Sequence, residues 1–374
     1  MRVVAWGTYD TGKPRVRILL RGLAENQINV VQCHKNVWGD IEDKSQIKGW
    51  ANKLGKLLKW IASYPHLLWR YLKEPKHDVV LISYMGQLDI LFIWLFAKWR
   101  KTPIVWDAFL SLYNTVVEDR KLISPHNPLA WGLYVWEWLA CRAADIIILD
   151  TEEHGDYFVN KFNIKKDKVK CIFVGVETEM FPSQQQAQNL RNSTPTILFY
   201  GQFIPLHGIE TIIKAARLAK NDNIKWNIVG SGQEQDRIQT LIEEEPLHQL
   251  DWIPWIEYHD LIKKIHEADI CLGIFGATEK AARVIPNKVF QLISAGVPII
   301  TMDSPAVREI FDETSIGVKL VEPANPLALY TQVTAFITEL SSMQLPLHQN
   351  LIKRITPINL GAELAILISE KVKK

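Results

Sequence analysis

Residues 285–300 read IPNKVFQLISAGVPII, and this stretch carries the clearest signal for the fold. Pro286 suits the beginning of a helix and Gly296 suits its end, and the apolar run that follows is typical of a buried strand. Lys288 and Gln291 lie three residues apart and therefore share one face of the helix. Because backbone N–H groups are unpaired at a helix start, this turn can hold a diphosphate, with Gln291 reaching a ribose hydroxyl. The alternative is an ordinary amphipathic helix with two solvated polar side chains.

The rest of the chain repeats the alternation of apolar strands and helices, which predicts an α/β protein with parallel sheets. A length of 374 residues is enough for about two domains. Residues 182–195 are rich in Gln, Asn and Ser and lack hydrophobic periodicity, which predicts a linker. We therefore predict a first domain over 1–181, a second over 196–355, and a C-terminal helix over 356–374 that packs back toward the first domain. Ligands of doubly wound sheets bind beyond the carboxyl ends of the strands, so the two sites are expected to face each other.

The composition argues against several other classes of protein. The net charge is +2, and no global basic surface points to nucleic acid. The four cysteines are scattered and the histidines show no metal-ligand spacing, which predicts reduced thiols in a cytoplasmic protein and no metal site. The N-terminus has no signal-peptide pattern, and the longest apolar run, LDILFIWLFA at 88–97, is too short to cross a bilayer.

The stretch PNKVFQLISAGVPIIT at 286–301 resembles the P-x-K-x-[FY]-E-x-x-x-x-G-x-P signature of nucleotide-sugar glycosyltransferases with the GT-B fold, of the retaining family 4 type. Further segments resemble the family in the same order: ILFYGQFIPLHGIETIIKAA at 197–216, WNIVGSGQEQDRI at 226–238 and VREIFDETSIGVKLVEPAN at 307–325. The resemblance covers most of 196–325 and is weaker before it. It implies two facing Rossmann-like, doubly wound domains, with the donor on the second and the acceptor on the first. It also implies transfer to a hydroxyl with retention and without a metal or cofactor, the nucleoside diphosphate sugar being a substrate.

The resemblance places part of the donor site in the loop that Gly201 begins. Relatives usually offer an Arg and a Lys from this loop to the diphosphate, and the matching positions here are Gln202 and His207. His207 contributes positive charge only when it is protonated. Trp255 can border the nucleobase, although a core position is the interpretation that we favour.

The remaining donor contacts are expected from the segment around the helix start. A diphosphate needs positive charge as the sugar leaves, so we expect Lys288 and Arg283 to supply it, with backbone N–H groups from Asn287 onward. Gln291 takes the place of the family's ribose-binding Glu, and Arg283 that of the other acidic residue. Glu279 is the nearest carboxylate that can touch the donor sugar, and a solvated loop charge is the alternative.

The first domain offers fewer candidates. Asp107 ends the strand in TPIVWDAF, where a carboxylate can accept the proton of the acceptor or hold its hydroxyl. Many relatives carry a His just after this strand, but Phe109 occupies that place. A capping role is the alternative for Asp107. Gly7 and Gly12 can bring the backbone close to a phosphate or the acceptor, or can belong to a plain turn.

Residues 48–76 suggest contact with a membrane surface. They contain seven Lys and Arg against a single acid, Glu74, with Trp and Tyr interleaved. Basic, Trp-rich helices of this kind suit a lipid headgroup interface, which favours peripheral contact with the inner face of the membrane and a lipid-linked acceptor. The alternative is a soluble helix that covers the sheet with a basic rim.

Three functions remain open at this point. We favour a glycosyltransferase that moves a sugar from a nucleoside diphosphate to a hydroxyl of a glycan or glycolipid. A nucleotide-sugar epimerase on the same fold would show acid–base pairs on both sides of the site, whereas the sequence shows only Asp107 clearly. The missing Arg, Lys, Glu and His counterparts also fit a degenerate subunit that binds a nucleotide sugar, or acts as a scaffold, without turnover.

Overall fold

The computed structural model describes residues 1–37, 50–183, 194–340, 342–343 and 345–372. Within these residues, no helix combines the length and the hydropathy that crossing a bilayer requires.

The chain divides into two compact units. The first is formed by Met1–Gly175 and Thr356–Lys374, and the second by Val176–Ile355. Most of the linker predicted at 182–195 lies outside the described residues, since these stop at residue 183 and resume at 194.

The first unit ends at Gly175, before the predicted boundary at residue 181, because the segment after Gly175 is tied to the second unit. The Val176 amide donates to the Ile355 carbonyl at 3.0 Å. The Ser294 hydroxyl donates to the Phe181 carbonyl at 2.7 Å.

Each unit contains a six-stranded sheet, and all strand pairs are parallel. The strands are β1 (Arg2–Gly7), β2 (Asn29–His34), β3 (Val79–Ile82), β4 (Ile104–Asp107), β5 (Ile146–Leu149), β6 (Val169–Cys171), β7 (Thr196–Tyr200), β8 (Lys225–Val229), β9 (Leu250–Ile253), β10 (Ile270–Leu272), β11 (Ile299–Met302) and β12 (Val318–Val321). The spatial orders are β2-β1-β3-β4-β5-β6 and β12-β11-β10-β7-β8-β9. Central strands such as β5, with the sequence IIIL, are buried throughout, as expected where helices cover both faces.

Helices alternate with these strands. They are α1 (Pro14–Glu25), α2 (Trp50–Ile61), α3 (Tyr64–Lys73), α4 (Gln87–Trp99), α5 (Pro128–Ala143), α6 (Glu152–Phe162), α7 (Ile209–Leu218), α8 (Gln235–Glu244), α9 (Tyr258–Glu267), α10 (Glu279–Arg283), α11 (Asn287–Ala295), α12 (Pro326–Leu340), α13 (Gln349–Ile352) and α14 (Pro357–Val372). In the first unit, α3 to α6 share one apolar cluster with the sheet, and α1 and α14 share another.

The packing of α14 on α1 depends on two glycines. A Cβ on Gly361 would lie 2.0 Å from the Gly22 carbonyl carbon, and a Cβ on Gly22 would lie 2.1 Å from the Pro357 carbonyl oxygen. The absence of both side chains therefore lets the helices approach closely, and Leu360 and Leu364 reach the core of the first sheet.

Candidate active site

In the second unit, three loops meet at the carboxyl edge of the sheet. The loops after β7 and β8 are locked together, because the Gly201 amide donates to the Val229 carbonyl and the Phe203 amide to the Ser231 carbonyl, both at 2.9 Å. Gly230 has φ +144°, and a Cβ there would lie 1.9 Å from the Gly201 carbonyl oxygen. The sequence signal for this contact is the G-x-G after β8, but Gly230 was not among the predicted site residues.

The loop after β10 is bonded to the loop after β7. We call the three loops, which begin at Gly201, Gly230 and Gly273, the loop assembly. The Phe275 amide donates to the His207 carbonyl at 3.1 Å, and the Gly276 amide donates to the Leu206 carbonyl at 3.2 Å. A Cβ on Gly208, which has φ +64°, would lie 2.6 Å from the Phe275 carbonyl carbon. The turn that contains His207 is therefore fixed by backbone contacts on both sides.

Lys288 reaches this loop assembly from the first turn of α11. Its side chain is only 5% exposed. The ammonium lies 3.7 Å from the Phe199 ring centroid and donates to the Gly273 carbonyl at 3.4 Å. A Cβ on Gly201 would lie 3.0 Å from Lys288 Nζ and 3.1 Å from His207 Cε1, so the structure brings Gly201, His207 and Lys288 together. Burial lowers the pKa of Lys288 well below its usual value.

His207 is oriented by its own loop. Its Nδ1 contacts the Gln202 carbonyl oxygen. A carbonyl only accepts, so Nδ1 carries the hydrogen in this contact, and Nε2 is the acceptor nitrogen of the neutral ring. The Gln202 side chain is exposed, and its backbone rather than its amide group positions the histidine.

Gln291 is tied to β7. The Tyr200 hydroxyl donates to the Gln291 side-chain oxygen at 3.0 Å, and the tyrosine ring centroid lies 5.8 Å from Lys288 Nζ. Tyr200 was missed from sequence because a buried tyrosine at a strand end looks like any core residue. Asn287 begins α11 with an exposed side chain, and the residue before it, Pro286, makes no capping hydrogen bond from its side chain.

Glu279 and Arg283 form a pair on α10, with Nη1 and Oε2 3.4 Å apart. The Glu279 side chain is 89% exposed, whereas that of Arg283 is 17% exposed. Thr278 caps α10 by accepting from the Ala281 amide at 3.1 Å. Helix α10 packs against the turn that carries His207, which puts both residues at the margin of the loop assembly.

Trp255 is not a core residue, contrary to the interpretation that we favoured, because it is 67% exposed. It follows β9, whose Trp252 donates from Nε1 to the Gly230 carbonyl at 2.9 Å. The Trp252 ring stacks on Phe203 with centroids 5.7 Å apart. Trp255 therefore follows a strand, β9, that contacts the loop assembly through Trp252.

The structure corrects the expected setting of Asp107 at the end of β4. The residue is 1% exposed and forms an ion pair with Arg15, whose Nη2 lies 2.7 Å and Nε 2.8 Å from Asp107 Oδ1. Burial raises the pKa of Asp107, and the adjacent Arg15 opposes that rise. A carboxylate so enclosed and paired has the contacts of a structural residue. Arg15 was missed because it is distant in sequence and its partner is decided by the fold.

Gly7 approaches another buried carboxylate. It has φ +129°, and a Cβ there would lie 2.2 Å from Asp89 Oδ2. Asp89 accepts from the Thr8 amide at 2.9 Å and from the Tyr64 hydroxyl at 2.6 Å, and burial raises its pKa to about 6. Gly12 is different: its amide donates to Asp10 Oδ1 at 2.9 Å in an ordinary local turn.

The basic, Trp-rich segment at 48–76 lies partly outside the described residues, which resume at residue 50. Helix α2 exposes Leu57, Leu58 and Ile61 by 44%, 59% and 44%. Trp60 donates from Nε1 to Thr8 Oγ1 at 2.7 Å, which fastens the end of α2 to the loop after β1.

Comparisons with known proteins agree with this architecture. The sequence model of the family described as Glycosyl transferases group 1 matches residues 180–355. The chain is 19% identical over 307 residues to the chitobiosyldiphosphodolichol beta-mannosyltransferase of Kluyveromyces lactis, covering 74% of this chain and 67% of that relative. It is 24% identical over 199 residues to the probable glycosyltransferase WbjE of Pseudomonas aeruginosa, covering 50% of this chain and 48% of that relative.

Solved structures match along nearly the whole chain. Sucrose-phosphate synthase from Thermosynechococcus elongatus superposes with a TM-score of 0.71 at 15% identity, covering 99% of this chain and 98% of that one. Anabaena HepE in complex with UDP superposes with a TM-score of 0.67 at 12% identity, covering 99% of each chain. The chain therefore has the GT-B fold of these solved glycosyltransferases, and its residues 180–355 match the group 1 glycosyl transferase family.

Proposed function

We propose that the chain transfers a sugar from a nucleoside diphosphate sugar to a hydroxyl of a glycan or lipid-linked glycan, with retention at the anomeric carbon and without a metal. The observation that carries the proposal is the convergence of Lys288, His207 and the Gly201 backbone beside the start of α11. A buried ammonium, an imidazole and the positive end of a helix together suit an anion.

In this proposal the diphosphate lies at the start of α11. Lys288 and the N–H groups from Asn287 onward offset the negative charge that develops on the leaving nucleoside diphosphate. Gln291 binds the ribose, and Trp255 offers its exposed face to the nucleobase. The Glu279–Arg283 pair borders the diphosphate or the donor sugar from α10.

The first unit would hold the acceptor. Gly7 lets the backbone turn closely over Asp89, and the loop after β1 is fastened to α2 through Trp60. The exposed leucines of α2, beside the exposed Lys59, suit a lipid surface, which supports a lipid-linked acceptor. One relative, named as a transferase for chitobiosyldiphosphodolichol, supports the same choice. We assign Asp107 a positioning role, in which it holds Arg15 beneath this edge.

The donor site is tested by isothermal titration with UDP, GDP and ADP. Lys288→Met should weaken the preferred nucleotide by at least about tenfold, since about 1.4 kcal/mol or more of charge-assisted contact is lost. The matched control is Lys220→Met, which removes an exposed lysine from the same unit. Equal affinity in the wild type and in both variants would move the diphosphate away from Lys288.

The reaction itself needs a separate experiment. Product from an anomerically pure donor is analysed by proton NMR, with and without a chelator. An unchanged anomeric configuration and a rate unaffected by the chelator are expected. An inverted product would contradict retention, and binding of the donor without any transfer would favour the degenerate subunit.

A further inference from the structure

A large basic hollow lies at the amino edge of the sheet in the first unit, opposite the carboxyl edge where ligands are expected. It has a volume of about 1080 Å³ and is lined by the amino ends of β3 to β6 and the last turns of α14. Lys98, Lys101, Arg142, Lys168 and Lys371 define this surface, which we call the basic hollow. Ligands of doubly wound sheets bind at the carboxyl edge, so the basic hollow is separate from the acceptor region.

The charge of the basic hollow is unbalanced. Eight Lys and Arg line it against four Asp and Glu. Two of these acids already bind backbone amides: Asp78 accepts from Arg2 at 2.7 Å, and Asp145 accepts from Ile104 at 2.9 Å. Asp145 also lies 3.5 Å from Lys371. Among the residues that the structure describes, no carboxylate lies within ion-pair distance of Lys98, Lys101 or Lys168.

Lys168 is a half-buried member of this group of cations. Its ammonium donates to the Arg142 carbonyl at 3.2 Å. Burial is the main cause that lowers its pKa; Cys141 and Asp145 act in the opposite direction, and the charges of Arg142 and Lys371 add smaller decreases. A bound anion would relieve this repulsion between three neighbouring cations.

The cations of the basic hollow and the apolar residues on the neighbouring helix indicate the class of anion. Several convergent cations around one space match a group with more than one negative charge and several acceptor oxygens, as in phosphates. Trp94 lines the hollow with Lys98 Nζ 5.1 Å from its ring centroid, and Leu95 and Trp99 on the same helix are 63% and 74% exposed. Exposed apolar residues on the helix that carries Lys98 also suit a lipid surface next to a charged headgroup.

We propose that the basic hollow is a second anion-binding site, which takes a phosphate-bearing ligand: a soluble polyphosphorylated anion or the headgroup of an anionic lipid. The site belongs to the first unit alone and does not depend on the proposed donor site.

The test uses the full chain with Lys98→Gln, Lys101→Gln and Lys168→Gln combined. The control combines Lys220→Gln, Lys263→Gln and Lys353→Gln, exposed lysines of the second unit, and changes the net charge equally. One arm titrates inorganic tripolyphosphate by calorimetry. The other measures co-sedimentation with phosphatidylglycerol–phosphatidylcholine vesicles against vesicles of phosphatidylcholine alone. Any binding of tripolyphosphate at Lys288 is common to both variants, so their difference isolates the basic hollow.

At least a tenfold weaker affinity in the first variant than in the control is expected in one arm, and that arm identifies the source of the phosphate. Nucleotide affinity and thermal unfolding should match the control, which excludes misfolding as the cause. Equal binding by both variants in both arms, or no binding by the wild type in either, would overturn the proposal.

Discussion

Lys288 is a candidate donor-binding residue whose burial works against stability. Its ammonium is removed from water, and its described contacts are aromatic rings and the Gly273 carbonyl. Such burial penalises the charged form, which is why the pKa falls. The folded state consequently binds fewer protons than the unfolded chain between the lowered pKa and the usual 10.5, and stability rises with pH across that window.

Replacement of this lysine should therefore raise the stability of the protein while it weakens the binding of the nucleotide. Lys288→Met should raise the free energy of unfolding at neutral pH by about 1–3 kcal/mol, because an uncompensated buried charge is removed. Urea denaturation of the unliganded protein measures the change, and Lys220→Met should shift it by less than about 0.5 kcal/mol. A Lys288→Met variant less stable than the wild type would mean that the charge is compensated in the folded protein.

The same residue predicts proton uptake on donor binding. A diphosphate beside Lys288 favours the ammonium and raises its pKa toward the usual value. Calorimetric titration of the nucleotide in buffers of different ionisation enthalpy should show uptake of protons above the lowered pKa. The uptake should disappear in Lys288→Met, and its persistence there would assign the proton to another group.

At the scale of elements, the loop assembly depends on backbone contacts that only glycine permits. Gly230→Ala would put a Cβ 1.9 Å from the Gly201 carbonyl oxygen at a φ of +144°, so the loops after β7 and β8 must separate. We expect a loss of about 1–3 kcal/mol in stability, and a greater than tenfold loss in nucleotide affinity. Gly132→Ala in α5 is the control, because it adds the same methyl group where a Cβ meets nothing within 4 Å. Its stability should rise by about 0.5–1 kcal/mol, since alanine favours a helix more than glycine does. Calorimetric unfolding and nucleotide titration of both variants check this pair.

Asp89 joins the loop after β1 to α3 and provides a prediction about pH. Its pKa of about 6 is raised above the usual 3.8, so its contribution to stability is complete below 3.8 and is lost as the pH rises through 6. Asp89→Asn removes this titration and puts an amide against the Thr8 and Tyr64 donors. The stability difference between pH 5 and pH 7.5 should change by about 1 kcal/mol relative to the exposed control Asp167→Asn. An identical pH profile in wild type and Asp89→Asn would contradict the raised pKa.

At the scale of the whole molecule, the chain leaves the first unit, builds the second and returns through α14. The return depends on Gly22 and Gly361, where the helices touch through their backbones. Gly361→Val should displace α14 from α1 and expose the chain near Thr356 to limited proteolysis, since a Cβ there would overlap the Gly22 carbonyl carbon. Ile366→Ala, at a site 59% exposed, should leave the cleavage pattern unchanged. Resistance equal to wild type in Gly361→Val would show that α14 is held by other contacts.

Local sequence patterns were enough to predict the fold class and helix α11, where we propose that the donor diphosphate binds. Strand and helix periodicity is local, and the turn at the start of α11 follows from Pro286, Gly296 and the apolar residues between them. The motif therefore predicted Lys288 and Gln291 correctly as members of one helix beside the loop that begins at Gly201. The donor contacts themselves remain predictions.

The environment of the charged residues depends on contacts that form only when the chain is folded. Asp107 meets Arg15 from α1, Asp89 meets Thr8 and Tyr64, and the basic hollow gathers residues from four strands' ends and the C-terminal helix. These partners are far apart in sequence, and no local pattern specifies which of them will meet. Burial and pairing control the charge state of a side chain, so the packing of distant elements sets the charge of these groups.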